Sequence, residues 1–408
     1  MKSFSYKGKM ISGKTISGDL EAANEIEARV KLRAQKIIPI KVSEKGKTSD
    51  FGREVFEFLG LEPKAKSKDL QVFTRQFATL INSGVPIVQS LDILTQQTTS
   101  PVLKKVLQSV KTNVENGKRL GDSMDGWPKV FDRLYMSLVR AGEEGGVLDT
   151  ILNRLAAYIE KSVKLKNKVV GALWYPAGIM VVAVAVIAVL LVYVIPKFEA
   201  IFKSANQELP TPTQIVIEVS HFLQAHLIGM ILSLFFSIVA LNRFYATKRG
   251  RRLFDAIFIQ IPIFGTLIQK AGIARFSRTM STMLSSGVGI LDSLEISSNV
   301  VGNNVLEVAI LRAKTAISEG KSIAQPLSRE PFIPPMVSQM IGIGETTGAL
   351  DTMFGKIADF YEEEVDAAVD AMTSIMEPLM MVILGTIIAG LVIAMYLPIF
   401  QLAGAAGK

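Results

Sequence analysis

Three stretches of this 408-residue chain run for more than twenty residues without a charge, and a fold that contains them needs a membrane to receive them. Residues 169–196 lie between Lys168 and Lys197, and their centre, AGIMVVAVAVIAVLLVYVI, is apolar on every face, as a lipid-facing helix should be. Residues 378–407 lie between Glu377 and Lys408, with Gly385 and Gly390 available for close helix contact. Residues 219–242 carry Ser220, His221, Gln224 and His226 early, which leaves 223–242 to cross. A mean hydropathy of +0.35 agrees with a membrane protein. Cysteine is absent and His221 and His226 are the only histidines, so thiolate metal sites, cysteine nucleophiles and histidine-centred triads lack their residues. Neither a metal nor a cofactor is expected.

Basic residues near the span ends set the expected orientation. Lys161, Lys164, Lys166 and Lys168 precede the first span, and Arg243, Lys248, Arg249, Arg251 and Arg252 follow the second. Both flanks are then cytoplasmic, the N-terminus lies inside and the C-terminus outside. The N-terminal residues hold no apolar core of the kind a secretory signal needs, consistent with a cytoplasmic first domain. The flank before the third span is acidic, with Glu362, Glu363, Glu364, Asp366 and Asp370, but acidic residues count little in this rule. The basic clusters sit beside spans, and no aromatic-interleaved basic surface appears elsewhere, so nucleic acid is not an expected partner.

The chain repeats itself. FTRQFATLINSGVPIVQSLDIL (73–94) and FSRTMSTMLSSGVGILDSLEIS (276–297) share ten of 22 residues at an offset of 203, including Phe73/Phe276 and Arg75/Arg278. At an offset of 202, Gly142-Glu143 matches Gly344-Glu345, Gly146 matches Gly348, and Leu148-Asp149 matches Leu350-Asp351. Glu160/Glu362, Pro176/Pro378 and Pro196/Pro398 carry the match into the membrane. Within each copy the pattern is helical: Leu70, Phe73, Phe77, Leu80 and Ile81 stop at Gly84, Ser100-Pro101 reads as a cap with proline in the first turn, and 131–141 forms a further helix. The stripe from Leu148 to Val163 meets no breaker before Lys168, so this helix should feed into the first span.

The fold class predicted is therefore mainly α: a polytopic membrane protein with two homologous cytoplasmic helical bundles, three transmembrane helices and a small N-terminal α+β module. The divisions are a module over 1–42 (hairpin, helix over 20–35, strand over 37–42), a linker over 43–68, a first bundle over 69–168 and a first span over 172–195. An outer loop over 196–222, a second span over 223–242, a second bundle over 243–376, a third span over 378–398 and an outer tail over 399–408 follow.

Gly8-KMIS-Gly13-Lys14-Thr15 matches a phosphate-binding loop letter for letter, but Ile-Ser-Gly-Asp follows where a helix must start, so a glycine-rich hairpin is expected. The two G-E-x-x-G-x-L-D stretches place Glu143 and Glu345 in glycine-flanked turns set by Gly146 and Gly348, with Asp149 and Asp351 in the first turn of the next helix. Paired carboxylates can hold a hard cation, whereas capping and the helix dipole account for the same residues without one. Before the spans, aligned charges oppose: Lys161 with Glu363, Lys164 with Asp366. Such helices can pair, within a chain or between subunits. Intramembrane acids are missing, which removes the usual residues of transport and intramembrane proteolysis.

Tandem helical domains, each followed by a span and each with a G-E-x-x-G-x-L-D turn, resemble the PilC/GspF family of inner-membrane platform proteins. FDRLYMSLVRAGEEGGVLD (131–149), LWYP, VIPKFEAIF and ELPTPTQ are similar to its hallmarks, and the likeness covers nearly the whole chain. The resemblance implies a bacterial inner-membrane protein without a catalytic centre, serving a type IV pilus machine or a type II secretion system. Its implied partners are cytoplasmic hexameric ATPases for assembly or retraction, pilins or pseudopilins, inner-membrane alignment proteins, membrane lipid and further copies of itself. Arg75, Arg278, the two glycine turns and the four opposed juxtamembrane charges are the expected partner-binding residues.

Overall fold

The computed structural model describes residues 2–10, 15–22, 27, 31–32, 34, 37–44, 65–204 and 209–406. They fall into two compact units, Met1–Lys64 and Ala65–Lys408.

The first unit holds three antiparallel strands, β1 (Lys2–Met10), β2 (Thr15–Ala22) and β3 (Ile37–Glu44), in the order β2-β1-β3. Lys9 lies opposite Thr15 and Lys2 opposite Ala22, so the hairpin takes residues 20–22 that composition assigns to a helix. Pairing with the start of β1 outweighs local helix propensity there. Residues 27, 31, 32 and 34 are helical, with Lys31 2.9 Å from Glu27 one turn away; the remainder of the expected helix, and 45–64 of the expected linker, lie outside the described residues. Thr15 opens a strand rather than a helix, so the phosphate-loop pattern lacks the helix N-terminus it needs.

The second unit shows the repeat in three dimensions. The first copy comprises α1 (Ser67–Asn82), α2 (Ile87–Gln97), α3 (Pro101–Glu115), α4 (Leu120–Met124), α5 (Arg133–Glu144) and α6 (Leu148–Val189). A π-helical turn, Leu190–Val194, joins α6 to α7 (Ile195–Ser204). Next come α8 (Thr211–Tyr245) and α9 (Lys248–Phe258). The second copy is α10 (Phe264–Ser285), α11 (Ile290–Val300), α12 (Asn304–Ser318), α13 (Ala324–Ser328), α14 (Pro335–Thr347) and α15 (Leu350–Ala406).

Matched residues fill matched cores. Phe73, Leu91, Leu107, Tyr135 and Leu152 are buried in the first bundle, and Phe276, Leu294, Ile310, Val337 and Phe354 take the same places in the second. The helix ends match too. Gly84 and Gly287, both at φ +80°, follow the first helix of each bundle, where a left-handed backbone lets the next amides reach back to the last turn. Ser100 caps α3 as expected, its Oγ accepting from the Leu103 amide with Pro101 in the first turn.

Among the described residues three helices are long and apolar enough to cross a membrane, and two of them continue from a bundle without interruption. The 57 residues of α15 extend about 85 Å at 1.5 Å per residue. A hydrocarbon core of about 30 Å takes less than half of that. The segment expected as a loop over 196–222 is largely helical, because α7 continues the first span to Ser204 and α8 starts at Thr211. Apolar residues keep both helices wound there: Ile195 and Ile217 are buried against each other's surroundings, with Val216 and Met395 alongside.

Prolines explain how α8 is seated. Pro196 and Pro398 have no amide hydrogen. In the π turn, where the Ile195 amide reaches Leu190 five residues back, the carbonyl left without its donor by Pro196 is Leu191, and in α15 the one left by Pro398 is Ala394, four residues earlier. Both carbonyls receive donors from α8 instead: Ser220 Oγ donates to Leu191 O, and Thr213 Oγ1 donates to Ala394 O at 2.5 Å. Gln224 Nε2 adds a bond of 3.3 Å to Val192 O, and Glu199, buried, pairs with His221 Nε2 at 2.7 Å. Thr213→Val should therefore lower the thermal stability of the purified chain by about 0.6–1.7 kcal/mol. In a Pro398→Ala background, where the helix amide is restored, the same substitution should cost much less.

Candidate functional site

Charge is concentrated where the two copies meet and where each bundle grips its own long helix. In the first bundle Arg75 of α1 forms a two-pronged pair with Glu160 of α6, Nε to Oε1 at 2.6 Å and Nη2 to Oε2 at 2.7 Å. In the second, Arg278 of α10 reaches Glu362 of α15 at 2.7 Å. Asp92 with Lys111 and Glu295 with Lys314 repeat the pattern between the second and third helices, each at 2.5 Å. These arginines, expected to face partners, hold the first helix of a bundle to the helix that enters the membrane.

The second copy adds one carboxylate. Asp359 occupies the position matched to Ala157, and it accepts from Arg278 Nη2 at 2.5 Å and from Lys161 Nζ at 3.0 Å. Lys161 also lies 3.5 Å from Glu362, and Lys168 lies 2.7 Å from Asp366. The opposed charges of α6 and α15 thus pair within one chain, but not in the aligned register. Lys161 meets Asp359 and Glu362 rather than Glu363, and Asp366 meets Lys168 rather than Lys164. The observed separation of 198 residues, against 202 in the alignment, is a displacement of one helical turn between two helices running in the same direction. Lys164 and Glu363 stay exposed.

Further polar contacts complete the seam. Tyr158 of α6 shares a buried hydrogen bond of 3.2 Å with Thr279 of α10, and burial pushes its hydroxyl up to about 12. The Arg154 guanidinium donates to the Ser285 carbonyl, and Arg133 lies 3.2 Å from Glu295. Beside them a cleft of about 530 Å³ opens between α5 and α11, lined by Asp125, Arg133, Arg140, Glu144, Asp292 and Glu295. Exposed and half-exposed pairs of this kind contribute roughly 0.2–1 kcal/mol each, whereas one fully buried Leu or Phe contributes roughly 1.5–3 kcal/mol. The seam also holds apolar contacts: Met283 and Ile296 of the second copy are buried in the core of the first, and Leu165 of α6 in the core of the second, so the two bundles form one compact unit.

The G-E-x-x-G stretches have a structural account in both copies. Gly142 and Gly344 permit close packing against the next helix: a Cβ would fall 3.2 Å from the Leu148 Cα in one case and 3.1 Å from the Leu350 Cα in the other. Glu143 and Glu345 lie in the last turns of α5 and α14 rather than in the turns that follow, because helix α5 runs through Gly142 to Glu144. Each caps the short helix of its bundle. Glu143 accepts from the Leu120 and Gly121 amides at 2.8 and 3.1 Å, and Glu345 accepts from the Ile323 amide at 3.0 Å and from Ser322 Oγ at 2.8 Å. Gly146 and Gly348, at φ +67° and +70°, make the turn, and Asp149 and Asp351 stand in the first turns of α6 and α15.

The signal for the Arg–Glu grips was present in the sequence, as charges of opposite sign kept at matched positions 75/278 and 160/362. Asp359 left no such trace, since its counterpart is alanine and its role exists only where the copies touch.

Two expectations follow. Asp359→Ala should leave each bundle folded yet broaden the distance between spin labels placed on α3 and α12, while Glu363→Ala should not. The two hydrogen bonds from Arg75 hold the Glu160 carboxyl below its ordinary 4.5, so its stabilisation is complete above that value and is lost as the pH falls through the lowered one. Arg75→Gln should accordingly flatten the acid limb of a plot of thermal midpoint against pH.

Comparison with known proteins gives these repeated features a family. The description "Type II secretion system (T2SS), protein F" matches residues 73–196 and again 276–398, and "Type II secretion system protein F, N-terminal domain" matches 1–43. The chain is 46% identical to the type IV pilus assembly protein PilC of Myxococcus xanthus, over 98% of this chain and 95% of that one. It is 40% identical to the PilC of Thermus thermophilus over 99% of both chains. It is 32% identical to the type II secretion system protein F of Vibrio cholerae over 98% of both.

Proposed function

Because the chain belongs to the type II secretion system protein F family, we propose that it is the inner-membrane platform of a type IV pilus machine. In this reading it couples a cytoplasmic hexameric ATPase to the insertion of pilins into the filament, and to their removal where the pilus retracts. The relatives that carry the pilus name match this chain more closely than those that carry the secretion name, which favours a pilus over a pseudopilus.

One observation supports the coupling role above the rest: each bundle is continuous with a span through a single helix, α6 or α15. A displacement of either bundle is then carried along the hydrogen-bonded ladder rather than lost in a loop. The ion pairs of Lys161 with Asp359 and Glu362 and of Lys168 with Asp366, together with buried Met283, Ile296 and Leu165, would carry a displacement of one bundle to the other. The ATPase would meet the cytoplasmic face. Lys164 and Glu363, exposed and without an ion-pair partner among the described residues, and the charged cleft between α5 and α11 are the surfaces available to it. In this reading the N-terminus lies in the cytoplasm and the C-terminus in the periplasm, which the basic flanks of the first two spans support.

Deleting the gene should abolish surface pili and twitching movement while protein secretion continues. Lost secretion with intact pili would assign the chain to a type II secretion system, and unchanged pili and secretion would refute the platform role.

A further inference from the structure

Helix α9 begins after a two-residue link from the second span, so it lies at the membrane surface. One side of it is fixed to the second bundle. Asp255, buried, accepts from the Tyr245 hydroxyl at 3.0 Å and from the Asn304 amide at 2.7 Å, and its backbone carbonyl accepts from Asn303 Nδ2 at 3.1 Å. Arg251, on the same side, reaches Glu307 at 3.3 Å. With that side committed, the residues spaced by four on the other, Arg249, Leu253 and Ile257, turn away from the protein, and Arg252 stands beside them. Leu253 is 53% exposed and Ile257 49%.

This outward face combines two properties that do not coexist comfortably in water. Its apolar ridge is bare, and its charges have one sign: Arg249 and Arg252 are exposed and have no ion-pair partner among the described residues. Just beyond, Ile263 is the single non-glycine residue with positive φ among the described residues, at φ 70° and ψ −59°. A tight turn closes there, with the Phe264 amide 2.8 Å from the Pro262 carbonyl, and it leaves Ile263 and Phe264 exposed as well. A β-branched residue is strained in that conformation.

We propose that α9 is a binding site for anionic phospholipid. Leu253 and Ile257 enter the boundary between headgroups and acyl chains, and Arg249 and Arg252 meet the headgroup phosphates. An amphipathic helix with basic residues flanking its apolar face is suited to lie in that plane, and anionic headgroups supply the charge that these two residues lack within the protein. Lipid is favoured over a protein partner because the face continues directly from a span, at the depth where headgroups lie. Since α9 is bonded to Asn303 and Asn304, the lipid would also fix the height of the second bundle above the membrane.

The absence of cysteine makes the test direct. The full chain carrying Leu253→Cys, and separately Ile257→Cys, is spin-labelled and placed in vesicles of phosphatidylcholine with or without phosphatidylglycerol. Collisions of the label with oxygen and with a water-soluble nickel chelate are then compared. With phosphatidylglycerol the label should meet oxygen and be shielded from nickel. Nickel exposure should rise several-fold in phosphatidylcholine alone, and equally when Arg249→Gln and Arg252→Gln are added. Nickel exposure that is high and unaffected by phosphatidylglycerol would overturn the proposal. A label shielded from both reagents would also overturn it, by placing a protein or a second copy on this face.

Discussion

Inside a bilayer a backbone carbonyl has no water to turn to, and this chain frees one at the end of each repeated span away from its bundle by placing proline at 196 and 398. The seating of the helix between the copies depends on how those groups are answered. Helix α8, which belongs to neither copy, supplies Ser220 to one carbonyl and Thr213 to the other, and so ties those ends of both repeats to one element. A duplication that left these carbonyls unpaired would carry the cost of a buried polar group twice over. The unique helix between the copies resolves both at once.

At the other end of the spans the bond is of a different kind. Each long helix is held within its bundle by a matched arginine and by a core whose residues correspond copy for copy. Between the bundles, ion pairs centred on Asp359, the point at which the second copy departs from the first, accompany buried apolar contacts through Met283, Ile296 and Leu165. Apolar burial makes the paired bundles firm, and uninterrupted helices continue from them into the membrane. This division of physical roles is what a platform transmitting movement requires.

Much of this was legible in the residues. Uncharged length fixed the spans, the offset of 202 to 203 fixed two similar bundles, and glycines at 84 and 287 marked the same helix ends that the structure shows. What local pattern could not reveal was whatever depends on two distant segments meeting. The helical continuation over 196–204 rests on packing against α8, the strand over 20–22 on pairing with β1, and the one-turn displacement of α6 against α15 on side-by-side contact of parallel helices. The G-E-x-x-G stretches read as glycine-set turns leading into a helix, but the amides that Glu143 and Glu345 cap lie more than twenty residues away in sequence. The outward face of α9 announced its charge in the sequence, yet which side faced out became evident only once Asp255 was seen to be bonded inward.

The central claim is mechanical: movement of a bundle reaches the membrane because bundle and span share one unbroken helix. A short glycine insert immediately after Lys168, or after Glu377, interrupts that helix while leaving bundle cores, seam and span composition in place. The account predicts that cells carrying either insert keep normal amounts of the protein in the membrane and assemble no pili. Full piliation with the insert present would contradict it.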